Sequence, residues 1–211
     1  MSIDSLRFLK EEGARLADEN AQLRQEVTVL RRSVRALSAL YYVSQQITPT
    51  VDVLRLLGEI LDTALAVLEA SDGSLMLTDE ESGELVLAVV RGKAADRLLG
   101  YHLPKNVGIA GWVSAHRQPQ IVRDVRNDPR FYPQVDEAFG FSTRSMICVP
   151  VTLDDGRLLG VIEVLNKASE RGFNQEDLDL ILIVAQLAAT AMRRAERAIQ
   201  TTERAAPKQP A

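Results

Sequence analysis

The chain has 211 residues, 46% of them hydrophobic and 26% charged, with a net charge of −4 and a pI near 5.3. That is enough for one globular domain plus an extension, and the acidic balance argues against nucleic-acid binding by bulk charge. A single cysteine, Cys148, and two histidines, His102 and His116, rule out an intrachain disulfide framework, a thiolate metal site and a multi-histidine metal site.

The first segment, "MSIDSLRFLKEEG", lacks the basic-then-apolar pattern of a signal peptide. No apolar run approaches the length that spans a bilayer, so a cytoplasmic protein without membrane insertion is expected. Leucine recurs every seventh residue at Leu9, Leu16, Leu23, Leu30 and Leu37. With these at heptad position d, position a holds Asn20, Val27 and Val34, a pattern that favours a parallel two-stranded coil. Asn20 is the kind of seam residue that fixes register, and Glu19 and Glu26 at g lie five residues before Arg24 and Arg31 at e. Residues 1–46 are therefore expected to form a coiled coil that makes the protein a homodimer. A DNA-binding zipper needs a basic region before the coil, and only "MSIDS" stands there.

Thr48-Pro49-Thr50 should interrupt the helix. A second amphipathic helix follows, with Val53, Leu56, Leu57, Ile60, Ala64 and Leu68 on one face. "SLMLTDEESGELVLAVV" reads as a hairpin, its two apolar runs separated by polar residues. Residues 93–140 read as irregular, apart from a helical start bracketed by Gly108 and Gly111 and a short strand after Pro119. A connection that long is uncommon unless it is functional. A second hairpin turns at Asp154-Asp155-Gly156. A helix from Gln175 to Thr201 closes the domain, set here at residues 47–200, with 201–211 expected to be a disordered tail. The expected class is α+β: one antiparallel sheet with helices on one face and the long crossing segment as a lid over the other.

The ordered fragments "DGSLML", "NVGIAGWV", "FYPQVDEAFGFSTRSMICVPV" and "GVIEVLNK" resemble the GAF domain family, most closely its cyclic-nucleotide-binding members from phosphodiesterases and adenylyl cyclases. The likeness runs over residues 40–195. Asn166, Lys167, Phe173 and Asp177 match the family's Asn-Lys…Phe-x3-Asp-Glu signature, with Leu178 in place of the final Glu. The resemblance implies an ion pair between Lys167 and Asp177 beneath the pocket. Local chemistry suits it, since Asn174 is a natural N-cap for the following helix and Phe173 a staple.

The same resemblance implies a ligand site. Ser74 on the first strand, Asp136 or Glu137 in the crossing segment, Thr143 before the next strand and Glu163 on the last strand match ligand-contacting positions. The backbone around Ile109 and Ala110 matches a phosphate-side contact at a helix N-terminus. This sequence departs from the pattern where Val90 and Arg91 replace a Phe-Asp pair, and where Phe139 replaces a base-contacting Thr and is poised to fill the pocket. Arg91 suits either a phosphate or a solvated edge, and Glu163 either a ligand or a Lys or Arg partner. Trp112 reads as core or lid packing, His116 as a surface residue and Cys148 as a buried apolar one.

The resemblance implies a non-catalytic regulatory protein that senses a small effector, such as a cyclic nucleotide, and signals through its flanking helices. No kinase, cyclase, phosphodiesterase or ATPase pattern is present in the 211 residues, so a partner protein is expected to carry the output. A ligand-free adaptor dimerised by its coil is the alternative. A GAF-type redox enzyme is more remote, because that cycle needs a nucleophilic and a resolving thiol.

Overall fold

The computed structural model describes residues 10–24, 26–27, 34, 52–169 and 172–205. The chain divides into two compact units, residues 1–38 and 39–211. In the first, helix α1 covers residues 10–24, and residues 26, 27 and 34 are helical as well. Four of the heptad positions, Leu16, Leu23, Val27 and Val34, are 44–54% exposed in the single chain. Asn20 donates to the carbonyl of Leu16 over 3.3 Å. Leu9, Leu30 and Leu37, and the expected break at Thr48-Pro49-Thr50, lie outside the described residues.

The second unit opens with α2, Val53–Leu68. Asp52 caps it by accepting from the backbone N–H groups of Leu54 and Arg55, and Glu69 ends it in the left-handed conformation. The expected stripe is buried at Leu56, Leu57, Ile60, Ala64 and Leu68, and Leu61 and Leu65 widen it. Strands β1 (Ala70–Thr78) and β2 (Leu85–Arg91) form the first hairpin; β5 (Met146–Thr152) and β6 (Leu158–Lys167) form the second. With β3 (His102–Leu103) and β4 (Gln120–Val122) at the edges, they make a six-stranded antiparallel sheet in the order β3-β2-β1-β6-β5-β4.

Strand alternation divides this sheet into two faces. A Cβ at Gly73 would meet Leu61 and Leu65 of α2, so Gly73 faces that helix. Leu75 shares its face, and register adds Val89, Ile162, Val164, Ile147 and Val149, all buried. The helix α6, Gln175–Ala205, packs on this face beside α2. Each such aliphatic side chain contributes about 2 kcal/mol by leaving water. The opposite face carries Ser74, Met76, Val90, Leu87, Cys148 and Glu163.

The segment that read as irregular covers this second face with short elements: α3 (Ala95–Leu98), β3, α4 (Gly108–His116), β4, a 3-10 turn at Val125–Asn127 and α5 (Gln134–Phe139). Each of α3, β3 and α5 is too short to leave a periodic signal, which is why the sequence pattern misses them. Helix α6 also continues past the expected end at Thr201 to Ala205, through the helix-compatible run Thr202-Glu203-Arg204. Residues 206–211 lie outside the described residues.

The β6–α6 joint is tightly cross-linked. Lys167 pairs with Asp177 over 2.5 Å, both side chains nearly buried. Asn174 accepts from the N–H of Asp177, and Asp177 accepts from the N–H of Asn174, a reciprocal capping box. Phe173 is fully buried, with the Lys167 ammonium 5.8 Å from its ring. Asn166 has a left-handed backbone. Its side chain accepts from the Arg144 N–H and donates to the Ser142 carbonyl, tying β6 to the chain entering β5.

Candidate functional site

Between the sheet and its short-element cover lies a cavity of about 100 Å³. Its walls are mostly apolar: Met76, Leu87, Val90, Leu103, Ile109, Ala110, Phe131, Phe141, Met146 and Leu165. Its polar groups come from three parts of the chain: Asp72 and Ser74 on β1, Asp136 on α5 with Thr143 just after it, and Glu163 on β6. Apolar walls with a few convergent polar groups are the usual make-up of a small-molecule site.

The register of the three central strands sets the polar floor. Ser74 stands opposite Glu163 across β1 and β6, and Glu163 opposite Cys148 across β6 and β5. Ser74 donates its hydroxyl to Glu163 over 3.1 Å. Burial, opposed by the Ser74 hydrogen bond and helped by repulsion from Asp136, raises the Glu163 carboxyl to about 7. Part of its surface faces the cavity rather than packed protein atoms, so it is deep without being walled in. The alternative in which a Lys or Arg neutralises it is not what the fold makes; Ser74 is its hydrogen-bond partner.

Asp136 is held differently. Its two oxygens accept from the N–H of Thr143, over 2.7 Å, and from the Thr143 hydroxyl, over 2.8 Å. The choice left open between Asp136 and Glu137 is thereby resolved in position, for Asp136 is buried at the cavity and Glu137 points to solvent. Ile109 and Ala110 line the opposite wall in the first turn of α4, a helix with no side-chain cap. Gly108, before them, has φ +73°, and a Cβ at Gly111 would lie 2.6 Å from the Asn106 carbonyl carbon, so both glycines are needed for this turn.

The sequence left alternatives open for two residues, Arg91 and Phe139. Arg91 lies opposite Gly73 and so belongs to the α2 face; its guanidinium pairs with Asp62 over 2.6 Å and lies against Gly58. It borders the cavity, but its charge is directed away from it. Phe139 does not fill the cavity. It packs edge-on against Tyr101, with ring centroids 5.3 Å apart, and Phe141 takes a place in the lining instead. The reason is the left-handed turn at Gly140, which ends α5 between the two aromatics.

Other cavity residues escaped the sequence reading, among them Asp72, Tyr132 and Met146. Strand parity marks Met146, which pairs with the cavity-facing Leu165. No local pattern marks Asp72, whose carboxylate is placed by Ser71, the Lys93 N–H and Asn166. Trp112 lies outside the cavity lining; it stacks on His116 at 4.2 Å and carries the Arg130 guanidinium 4.7 Å from its ring. Arg130 is bound in turn by Asp128, whose carboxyl it holds below the ordinary range. Cys148 is fully buried, and desolvation pushes its thiol well up. Among the described residues no cluster of His, Cys, Asp and Glu is arranged to hold a metal, and no helix is long and apolar enough to cross a membrane.

Comparison with known proteins agrees with this architecture. A family model described as the GAF domain matches residues 50–193. The chain is 32% identical over 80 residues to the dual 3′,5′-cyclic-AMP and -GMP phosphodiesterase 11A of Takifugu rubripes, a match that spans 38% of this chain and only 9% of that protein. The fold is similar to the GAF domain of a phosphoenolpyruvate-protein phosphotransferase from Coxiella burnetii, with TM-score 0.68, 20% identity, and 78% of this chain and 96% of that one covered. It is also similar to the free methionine-R-sulfoxide reductase of Neisseria meningitidis, with TM-score 0.64, 21% identity, and 79% and 93% covered. A methyl-accepting chemotaxis protein, residues 122 to 287, superposes with TM-score 0.63 at 25% identity, covering 72% of this chain and 96% of that one. With the sheet order, the signature joint and the cavity over the sheet all in place, the chain belongs to the GAF domain family.

Proposed function

We propose that this protein is a non-catalytic, dimeric regulatory module that senses a small effector in its GAF cavity and relays occupancy to a partner protein through its flanking helices. The observation that carries this reading is the cavity itself, apolar-walled and furnished with Ser74, Asp136, Thr143 and Glu163 from separate elements. Its floor is built on β1 and β6, and β6 runs through the Lys167–Asp177 joint directly into α6. A change at Glu163 therefore has a short covalent and ion-paired route to a helix of 31 residues. Relatives with signalling names, the chemotaxis protein and the phosphodiesterase, support the regulatory sense.

The thiol chemistry of the reductase neighbour is not supported here. The one cysteine is buried and held as the neutral thiol, whereas a redox cycle needs an accessible thiolate and a second sulfur. Isothermal titration of the full chain against cAMP, cGMP and a metabolite panel tests the sensing role. Binding is expected for at least one compound, with loss of that binding on Ala110→Phe, which fills the cavity. Absence of any binding, and of any co-purifying small molecule, contradicts the reading.

A ligand-free adaptor is favoured by a different observation, the exposed apolar row on α1. If recruitment of a partner protein is unaffected by Ala110→Phe yet lost when Leu16 and Leu23 become Lys, the adaptor reading replaces the sensor.

A further inference from the structure

The cavity's charged groups are almost all of one sign. Among the described residues Asp72, Asp136 and Glu163 line it, and the one cation at its border, Arg91, is directed to Asp62 on the other face of the sheet. Asp136 is engaged twice by Thr143, and Asp72 by Ser71, the Lys93 N–H and Asn166. Glu163 differs from both. Its side chain is half-buried at the cavity, and among the described residues only one of its oxygens receives a hydrogen bond, from Ser74. The cavity that Glu163 borders is walled largely by apolar side chains, Met76, Val90, Ile109 and Phe141 among them.

The geometry points to a small organic cation as the ligand of this cavity, with an apolar, ring-sized body against the hydrophobic wall and an ammonium or amidinium head hydrogen-bonded to Glu163. This rests on the reading of the cavity as an effector site. An anion of the same shape would be desolvated against Glu163 and Asp136 together. The N-terminus of α4 on the far wall offers an anion only about half a unit of positive charge, against a lining with three carboxyl groups. A buried carboxylate with a free oxygen is costly, and a charge-assisted pair with the ligand removes that cost.

The polar and titratable groups around Glu163 are Ser74 and Asp72 from β1, Cys148 opposite it on β5, Asp136 from α5, and Tyr101 and Tyr132 in the lining; Arg91 of β2 borders the cavity but is turned to Asp62, and the lining residues of α4, Gly108, Ile109 and Ala110, are not titratable. In the free protein Glu163 exchanges its proton near 7. A cation favours the ionised form, so binding releases a proton below that point, and affinity rises with pH until Glu163 is fully ionised.

The test is titration of the full chain with benzamidine and with benzoate, which share a ring and differ in charge, at about pH 6 and about pH 8. Benzamidine is expected to bind about tenfold tighter at the higher pH, following the ionised fraction of Glu163, and benzoate to bind more weakly than benzamidine at both. Glu163→Gln, which keeps the shape and an acceptor for Ser74, is expected to weaken benzamidine about tenfold or more and to flatten its pH dependence. Tighter binding of benzoate, a pH-independent wild-type affinity for benzamidine, or an unchanged affinity in Glu163→Gln overturns the inference. If benzamidine fails to bind while a neutral or anionic compound from the metabolite panel does, the cation is wrong and the effector site stands. A cavity that takes no compound at all overturns both.

Discussion

Asp136 and Glu163 are carboxylates of one cavity with opposite duties. Asp136 fastens the end of the crossing segment to Thr143 through two hydrogen bonds inside the fold. Asp136→Ala strands the Thr143 N–H and hydroxyl without their acceptor and is expected to destabilise the domain by about 2 kcal/mol, read as a lower urea midpoint at unchanged slope. Glu163 stabilises nothing comparable when ionised. Its folded value of about 7 lies above its ordinary 4.5, so between these the native state binds the extra proton and stability falls as pH rises. Urea midpoints measured across that window should decline in the wild type relative to Glu163→Gln, and parallel curves for the two proteins would show that the burial of Glu163 has no such effect. Residue identity alone does not separate the two roles. The resemblance implied a ligand contact for both acids, and only the partners that the fold supplies, Thr143 for one and Ser74 for the other, tell them apart.

At the scale of elements, the joint between β6 and α6 was legible in the sequence because its parts are close along the chain. Lys167, Phe173, Asn174 and Asp177 lie within eleven positions, and each has a local reason to be there: strand end, staple, cap and helix dipole. The two hairpins were legible for the same reason, through alternation and turn residues. The cover of the cavity was legible as a lid, with α4 and β4 in it, but its other elements were not. Helices α3 and α5 span four and six residues, too few for periodicity, and their places are set by packing onto a sheet face whose strands lie far away in sequence. Arg91 shows the limit most plainly. Its neighbour Val90 faces the cavity while its own guanidinium turns to Asp62, a matter of strand parity and partner that the residue type alone does not decide. Asp177→Ala removes the partner of a nearly buried lysine and an N-terminal cap together. It is expected to cost about 3 kcal/mol in chemical unfolding, and Lys167→Met combined with it should cost less than the two single losses added.

For the molecule as a whole, the GAF unit and α1 carry complementary signals. The GAF unit buries most of its large apolar residues, with Leu54, Leu99, Leu182 and Ile183 left exposed, whereas the first unit leaves Leu16, Leu23, Val27 and Val34 exposed at heptad spacing. The proposed dimer would cover that seam with a second copy of the same helix, with Asn20 setting the register. Dimerisation should therefore be lost on Leu16→Lys with Leu23→Lys, seen as a halved mass in sedimentation, with the unfolding midpoint of the GAF unit unchanged. Native mass spectrometry of the protein isolated without added ligand tests the central claim, a paired chain with an effector in each cavity, most directly. The account predicts a species of two 23.3 kDa chains carrying a small-molecule increment that disappears in Ala110→Phe. A bare single chain of 23.3 kDa at micromolar concentration would contradict it.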